Sequence, residues 1–146
     1  MRMEAPSGTV ALVFTDIQGS TALWERCSTA MGRALELHDR ILRAVLLTTG
    51  GYEVKTQGDS FMVAFRTVVE AVRWCLDVQE VLLDAPWPEE LLAQPEAAEE
   101  RGVGGLLYRG LRVRMGVHVG EPERRVDSRT ERVDYVGRMV NVAARS

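Results

Sequence analysis

Residues 8–15 read GTVALVFT, an almost unbroken run of apolar and largely β-branched side chains. Without polar alternation, such a run is a central strand covered on both faces. The chain must therefore supply further layers on either side of it. Asp16 stands at the C-terminal end of this strand, followed by IQGST, in which Gly19, Ser20 and Thr21 have the chemistry of a loop running into a helix cap.

A long helix is expected over residues 21–48. Trp24, Cys27, Met31, Leu35, His38, Leu42 and Val45 recur at spacings of three and four and form one apolar stripe, and Gly50 and Gly51 end it. Residues 52–56 and 60–65 read as two strands joined by the tight Gln57–Gly58–Asp59 segment as a hairpin. A second helix spans 67–83, with Val68, Val72, Cys75, Val78 and Leu82 as its core face. Residues 84–109 are a Pro-, Glu- and Ala-rich connection. Its length exceeds ordinary loops, so it is an insertion or carries a short helix around 89–100. Leu111, Val113, Met115, Val117 and Val119 alternate with Arg112, Arg114 and His118, which predicts a half-buried strand over 111–119. A polar loop, a short strand at 132–136 and the start of a helix complete the chain. The order β-α-β-β-α-β-β-α, with a hairpin inside, points to a single α+β domain, a sandwich of ferredoxin-like type. The sequence stops inside a predicted helix, so the domain is expected to be truncated at its C-terminus.

Composition narrows the function classes. A formal charge of −3 argues against a general nucleic-acid binder. No apolar run approaches the roughly 20 residues that cross a bilayer, and Glu4 and Pro6 interrupt any signal-peptide core. Cys27 and Cys75 lie within helical patterns and read as small buried hydrophobes in a reducing, cytoplasmic setting. Lys55 is the only lysine, every other long basic side chain being arginine. A compact ammonium with three donors does a different job from a planar guanidinium fork.

Three constellations carry possible chemistry. Asp16 follows the central strand and Asp59 follows a hairpin glycine. If the hairpin lies beside that strand, two carboxylates meet at one sheet edge and suit hard divalent cations such as Mg²⁺ or Mn²⁺. Each aspartate alone reads better as cap or turn chemistry, and it is the pair in this fold order that favours metal. Gly19, Ser20 and Thr21 open a helix whose unpaired N–H groups favour phosphate, although GxxxxGK[ST] is absent. Asn141 and Arg145 are four apart on the last helix and share one face. Together they are able to hold charge developing on phosphorus; without context a solvated polar stripe is the better reading.

FTDIQGST at 14–21, YEVKTQGDSFMVAF at 52–65, LRVRMGVHVG at 111–120 and DYVGRMVNVAAR at 134–145 together resemble the class III adenylate and guanylate cyclase catalytic domains. The wording is most similar to the branch that includes the trypanosomatid receptor cyclases and their bacterial relatives. The four stretches stand in family order and span nearly the whole chain.

The resemblance implies Asp16 and Asp59 as ligands of two divalent cations, with the Ile17 carbonyl as a further ligand. It implies Lys55 and Asp134 as readers of the adenine ring nitrogen and amino group, Asn141 as the residue orienting ribose, and Arg145 as the transition-state arginine. Arg114 is similar to a motif arginine that reaches the triphosphate. The family builds its sites across a head-to-tail homodimer, one subunit giving the aspartates and the other Lys55, Asp134, Asn141 and Arg145. The expected activity is conversion of ATP to 3′,5′-cyclic AMP and pyrophosphate. The competing expectation is a non-catalytic cyclase-homology module that binds nucleotide or drives dimerisation. Two departures stand out. Val136 replaces the aromatic often found two residues after the base-reading aspartate, and the family's later strands, helix and triphosphate-binding lysine have no counterpart before Ser146.

Overall fold

A computed structural model describes residues 4–144. Its elements are β1 (Val10–Ile17), α1 (Ser20–Arg26), α2 (Ser28–Thr49), β2 (Tyr52–Gln57), β3 (Ser60–Phe65), α3 (Val68–Asp84), α4 (Glu89–Leu92), β4 (Glu100–Gly102), β5 (Gly105–Tyr108), β6 (Val113–Gly120), β7 (Glu123–Val126), β8 (Val133–Val136) and α5 (Arg138–Ala144). The main sheet has the order β2-β3-β1-β6, while β4-β5 and β7-β8 form separate two-stranded pairs. The fold class is α+β, as expected. The chain divides into two compact units. One comprises residues up to Asp16, Leu46–Cys75 and Met115 onward; the other comprises Ile17–Val45 and Leu76–Arg114.

In the first unit β1 is buried on both faces, with Val10, Ala11, Leu12 and Val13 each 1% exposed or less. It pairs antiparallel with β3 from Ala11↔Phe65 to Phe14↔Met62. Val10, Leu12, Met62 and Ala64 share a core with Tyr52, Val54, Tyr135 and Val140. Burying each such side chain contributes about 1.5–3 kcal/mol before entropy is counted. Phe65 meets Trp74 in a tilted ring pair with centroids 5.8 Å apart. Gly51 is required by close approach, since a Cβ there would lie 2.5 Å from Phe65 Cε1 and 2.6 Å from Leu46 Cδ2.

In the second unit the 84–109 connection is a built element rather than a loose loop. Arg109 donates to the carbonyls of Leu83 and Ala85 at 3.2 and 2.6 Å, which satisfies the C-terminal end of α3. Trp87 Nε1 donates to the Leu82 carbonyl at 2.8 Å. Gly110 has φ +82°, and a Cβ on it would fall 2.0 Å from that indole nitrogen. Arg112 donates to the carbonyls of Gly110 and Ala98 at 2.9 and 2.6 Å. Arg26 grips the Glu96 carboxylate, reaching Oε2 at 2.7 Å.

Several expectations are corrected. The single helix over 21–48 is two helices, broken at Cys27, whose φ −147° and ψ 59° are not helical. Trp24 leaves the stripe at 40% exposure, and Leu23 is buried in its place. On α3 the buried stripe is Ala71, Trp74, Val78 and Leu82, while Val68 and Val72 are 46% and 43% exposed. Two apolar stripes overlap on this helix, and the one carrying the indole wins because it buries the larger area. The helix expected around 89–100 is only the four-residue α4; turns follow over 93–98, and β4 and β5 come after them. β1 extends two residues further than expected, so Asp16 and Ile17 belong to the strand. The alternation expected over 111–119 is only partial in β6, where Val119 is 55% exposed. Among the described residues β6 is an edge of the sheet.

Candidate active site

The β1–β3 ladder positions the acidic pair. The ladder ends at Phe14↔Met62, and next to it the Thr15 side chain takes over, its Oγ1 accepting from the Phe61 N–H at 3.0 Å. Asp16 lies two residues beyond Phe14 along β1, toward the end of the sheet from which β3 starts. Asp59 is adjacent to Ser60 in the tight Gly58–Asp59 turn, and Gly58 has φ +59°. Neighbouring strands lie about 4.8 Å apart, so both aspartates stand at one end of this strand pair. Both are half-buried. Among the described residues there is no group of three or more His, Cys, Asp or Glu side chains set to hold a metal ion. The donors at this strand end are therefore the two carboxylates of Asp16 and Asp59. Both are hard oxygen donors, which fits magnesium or manganese and not a thiolate- or imidazole-seeking metal.

Lys55 is aimed by an irregularity in β2. The register runs Tyr52↔Ala64 and Glu53↔Val63, then shifts so that Lys55 faces Met62. Val54 is the surplus residue of a β-bulge. In a regular ladder of the same length Lys55 would fall opposite Phe61, on the other face of the sheet, because side chains alternate along a strand. With the bulge Lys55 shares the face of Met62 and Val54, against which Tyr135 of β8 packs. Lys55 Nζ consequently lies 3.3 Å from Asp134 Oδ2. The other Asp134 oxygen accepts from the Tyr135 N–H at 2.8 Å, which fixes the carboxylate. A cleft of about 460 Å³ opens here, with Lys55, Thr56, Gln57, Thr130 and Asp134 among its lining.

The Lys55 and Asp134 side chains are 43% and 17% exposed. A pair this open is worth at most about 1 kcal/mol, so a ligand offering its own acceptor and donor separates it cheaply. The cleft presents a cationic donor beside an anionic acceptor, the complement of a base edge with the reverse order.

Asn141 is exposed on α5, with its N–H bonded to the Gly137 carbonyl at 3.2 Å. The neighbouring Val140 is anchored in the core, which orients that helix. Arg145 lies outside the described residues. In the second unit Ile17 is 3% exposed. Gly19 itself is the N-cap of α1, at φ 72° and ψ 17°, with no side-chain cap bond. Ser20 and Thr21 therefore begin the helix instead of capping it, and α1 is only seven residues long. Arg114 is exposed on β6.

Sequence reasoning missed the β7–β8 turn and Arg132. Asp127 Oδ1 accepts from the N–H groups of Arg129 and Thr130 at 2.8 and 3.3 Å. These bonds hold the Asp127 carboxyl below the usual carboxylate range. Asp-Ser-Arg-Thr is an Asx-turn signature and was readable as such. Nothing in the sequence marks Arg132 among so many arginines.

The family model for the adenylate and guanylate cyclase catalytic domain matches residues 3–146. The chain belongs to this family. It is 52% identical over 141 residues to an adenylate cyclase of Mycosarcoma maydis, covering 96% of this chain and 6% of that protein. A receptor-type adenylate cyclase of Trypanosoma brucei brucei, GRESAG 4.3, is 37% identical over 159 residues, covering 97% and 13%. Among solved structures, a Trypanosoma brucei adenylate cyclase described in its monomeric state superposes with a TM-score of 0.84 at 35% identity, covering 97% of this chain and 68% of that one. The chain thus spans only a small part of the curated relatives it matches. Across its described residues no helix is long and apolar enough to cross a membrane.

Proposed function

We propose that this cyclase-family domain is an adenylate cyclase, converting ATP to 3′,5′-cyclic AMP and pyrophosphate at a site shared between two subunits. The observation that carries the reading is the Lys55–Asp134 pair, 3.3 Å apart on an open cleft. Adenine presents an acceptor at N1 and a donor at its amino group, so Lys55 donates to the one and Asp134 accepts from the other. Guanine reverses both, leaving each side chain facing its own kind, which is the costly arrangement in a binding site.

Asp16, Asp59 and the Ile17 carbonyl would hold two divalent cations. When bound, these supply charge neutralisation at the triphosphate and acidify the ribose 3′-hydroxyl. Asn141 orients the ribose so that this oxygen lies in line with the α-phosphorus. The new phosphorus–oxygen bond forms as the bond to pyrophosphate breaks, and Arg145 donates to the oxygens on which charge grows. Gly19, Ser20 and Thr21 offer helix N-terminal N–H groups to the triphosphate, and Arg114 takes the triphosphate role that the family resemblance implies. One subunit contributes the aspartates and its partner the base- and ribose-reading residues, in a cytoplasmic setting.

Incubation of the dimeric catalytic region with Mn²⁺ and either ATP or GTP, followed by mass spectrometry, tests the reaction. Cyclic AMP from ATP is expected; absence of any cyclic nucleotide refutes the enzyme reading. Asp16→Ala and Arg145→Ala, each inactive, should regain activity when co-assembled. Inactive mixed dimers of normal stability would rule out a shared site.

A further inference from the structure

The bulge that turns Lys55 toward Asp134 is gripped from across the strands by one side chain. Arg132 lies immediately before β8, and its guanidinium sits over the Tyr52 ring, 4.6 Å from the centroid. The same guanidinium donates to the carbonyl of Glu53, the last residue before the register shift. Beside it the Val133 N–H donates to Tyr52 Oη at 3.2 Å. The Arg132 main chain is itself tied down. Its carbonyl accepts from the Asp127 N–H at 2.8 Å, and its N–H donates to Thr130 Oγ1 at 3.3 Å.

The strand period of two gives this arrangement its meaning. Arg132 and Asp134 are two residues apart and point the same way. Arg132 holds Tyr52 and Glu53 on one side of the bulge; Asp134 meets Lys55 on the other. The separation of the base-reading donor and acceptor is set by how β8 seats on β2, and the arginine fixes that seating. The chemistry suits arginine specifically. A planar guanidinium stacks on an aromatic face while directing an N–H in its own plane to a carbonyl, whereas an ammonium offers a point charge and no plane.

We infer that Arg132 is a positioning residue for nucleobase selectivity, acting through the Lys55–Asp134 spacing without touching the base. This inference rests on the adenylate cyclase reading. Its test uses the dimeric catalytic region and the non-cyclisable probes 3′-deoxy-ATP and 3′-deoxy-GTP. Equilibrium affinities are measured for the parent protein, R132A and R132K, alongside KM and kcat for ATP and GTP.

Loss of the guanidinium should weaken 3′-deoxy-ATP binding about tenfold and raise the KM for ATP equally. Binding of 3′-deoxy-GTP should change less than threefold, so the preference collapses by roughly an order of magnitude, or about 1.4 kcal/mol. R132K, keeping the donor and charge but not the plane, should fall between the two. If R132A does not fold, R132K still has to show a reduced preference. A folded variant with an unchanged preference overturns the inference, as does an equal loss for both nucleotides, which marks general damage. A parent protein that binds and cyclises ATP selectively, with variants that do the same, overturns only the role of Arg132. A parent protein with no preference for adenine overturns the base-reading role as well.

Discussion

Replacing Tyr135 by phenylalanine separates two effects of one buried hydroxyl. Tyr135 is 1% exposed and its Oη donates to the Pro6 carbonyl at 2.6 Å. Removing the oxygen leaves that buried carbonyl without its donor, which costs about 1–3 kcal/mol. At pH 8 the variant should therefore unfold at lower urea, with a Tm several degrees lower at about 2–4 °C per kcal/mol. Burial also pushes the phenol from 10.0 up to about 12. The unfolded chain then loses its proton about two pH units before the folded one does. A raised pKa gives stability that is complete below pH 10 and drains as pH climbs through about 12. At roughly 1.4 kcal/mol per unit, the parent protein loses up to about 3 kcal/mol over that window and the variant none. The Cys75 thiol, raised by burial to about 11, adds an alkaline slope of its own, but it is common to both proteins and cancels in the difference. Urea unfolding followed by tryptophan fluorescence at pH 8, 10, 11 and 11.5 reads this directly. The advantage of the parent over Tyr135→Phe should shrink steadily above pH 10 and approach zero or reverse. A gap of the same size at pH 8 and pH 11.5 would refute the reasoning.

Gly110→Ala should be among the most damaging small substitutions, since its Cβ would fall 2.0 Å from Trp87 Nε1 at a positive φ. A loss of about 1–3 kcal/mol or more in chemical denaturation is expected, and an unchanged midpoint would contradict the packing described. Leu12→Ala, at a fully buried site of β1, should cost about 2–5 kcal/mol by the same assay. Lys55→Glu should depress ATP turnover by an order of magnitude or more while leaving Mn²⁺ affinity, measured calorimetrically, within about twofold; an unaltered ATP rate removes its base-reading role.

The parts of the fold legible in the sequence were those fixed by local chemistry. The apolar run ending at Asp16 has one reading, and the Gly58–Asp59 turn between two β-rich segments has one reading, so the β1–β3 pairing was within reach. α3 was harder because Val68 and Val72 complete one helical stripe and Ala71 and Trp74 another, and periodicity alone does not rank them. The break at Cys27 carries no glycine or proline to announce it. In 84–109 the order comes from Arg109 and Arg112 reaching carbonyls up to 26 residues away, a long-range effect that no local window contains. For the candidate site, Lys55 and Asp134 were nominated by resemblance, but the means of their meeting was not legible. The bulge at Val54 has no composition signature, and Arg132 is one arginine among many.

That surplus residue has a consequence for how this site can change over time. At this chain length Lys55 faces the cleft only because the ladder carries Val54 as a bulge. Trimming Val54 would restore a regular ladder with the lysine still opposite Met62, whereas straightening the bulge at full length would turn the lysine to the far side of the sheet. The site can therefore absorb the loss of that one residue more readily than a change that flattens the strand around it.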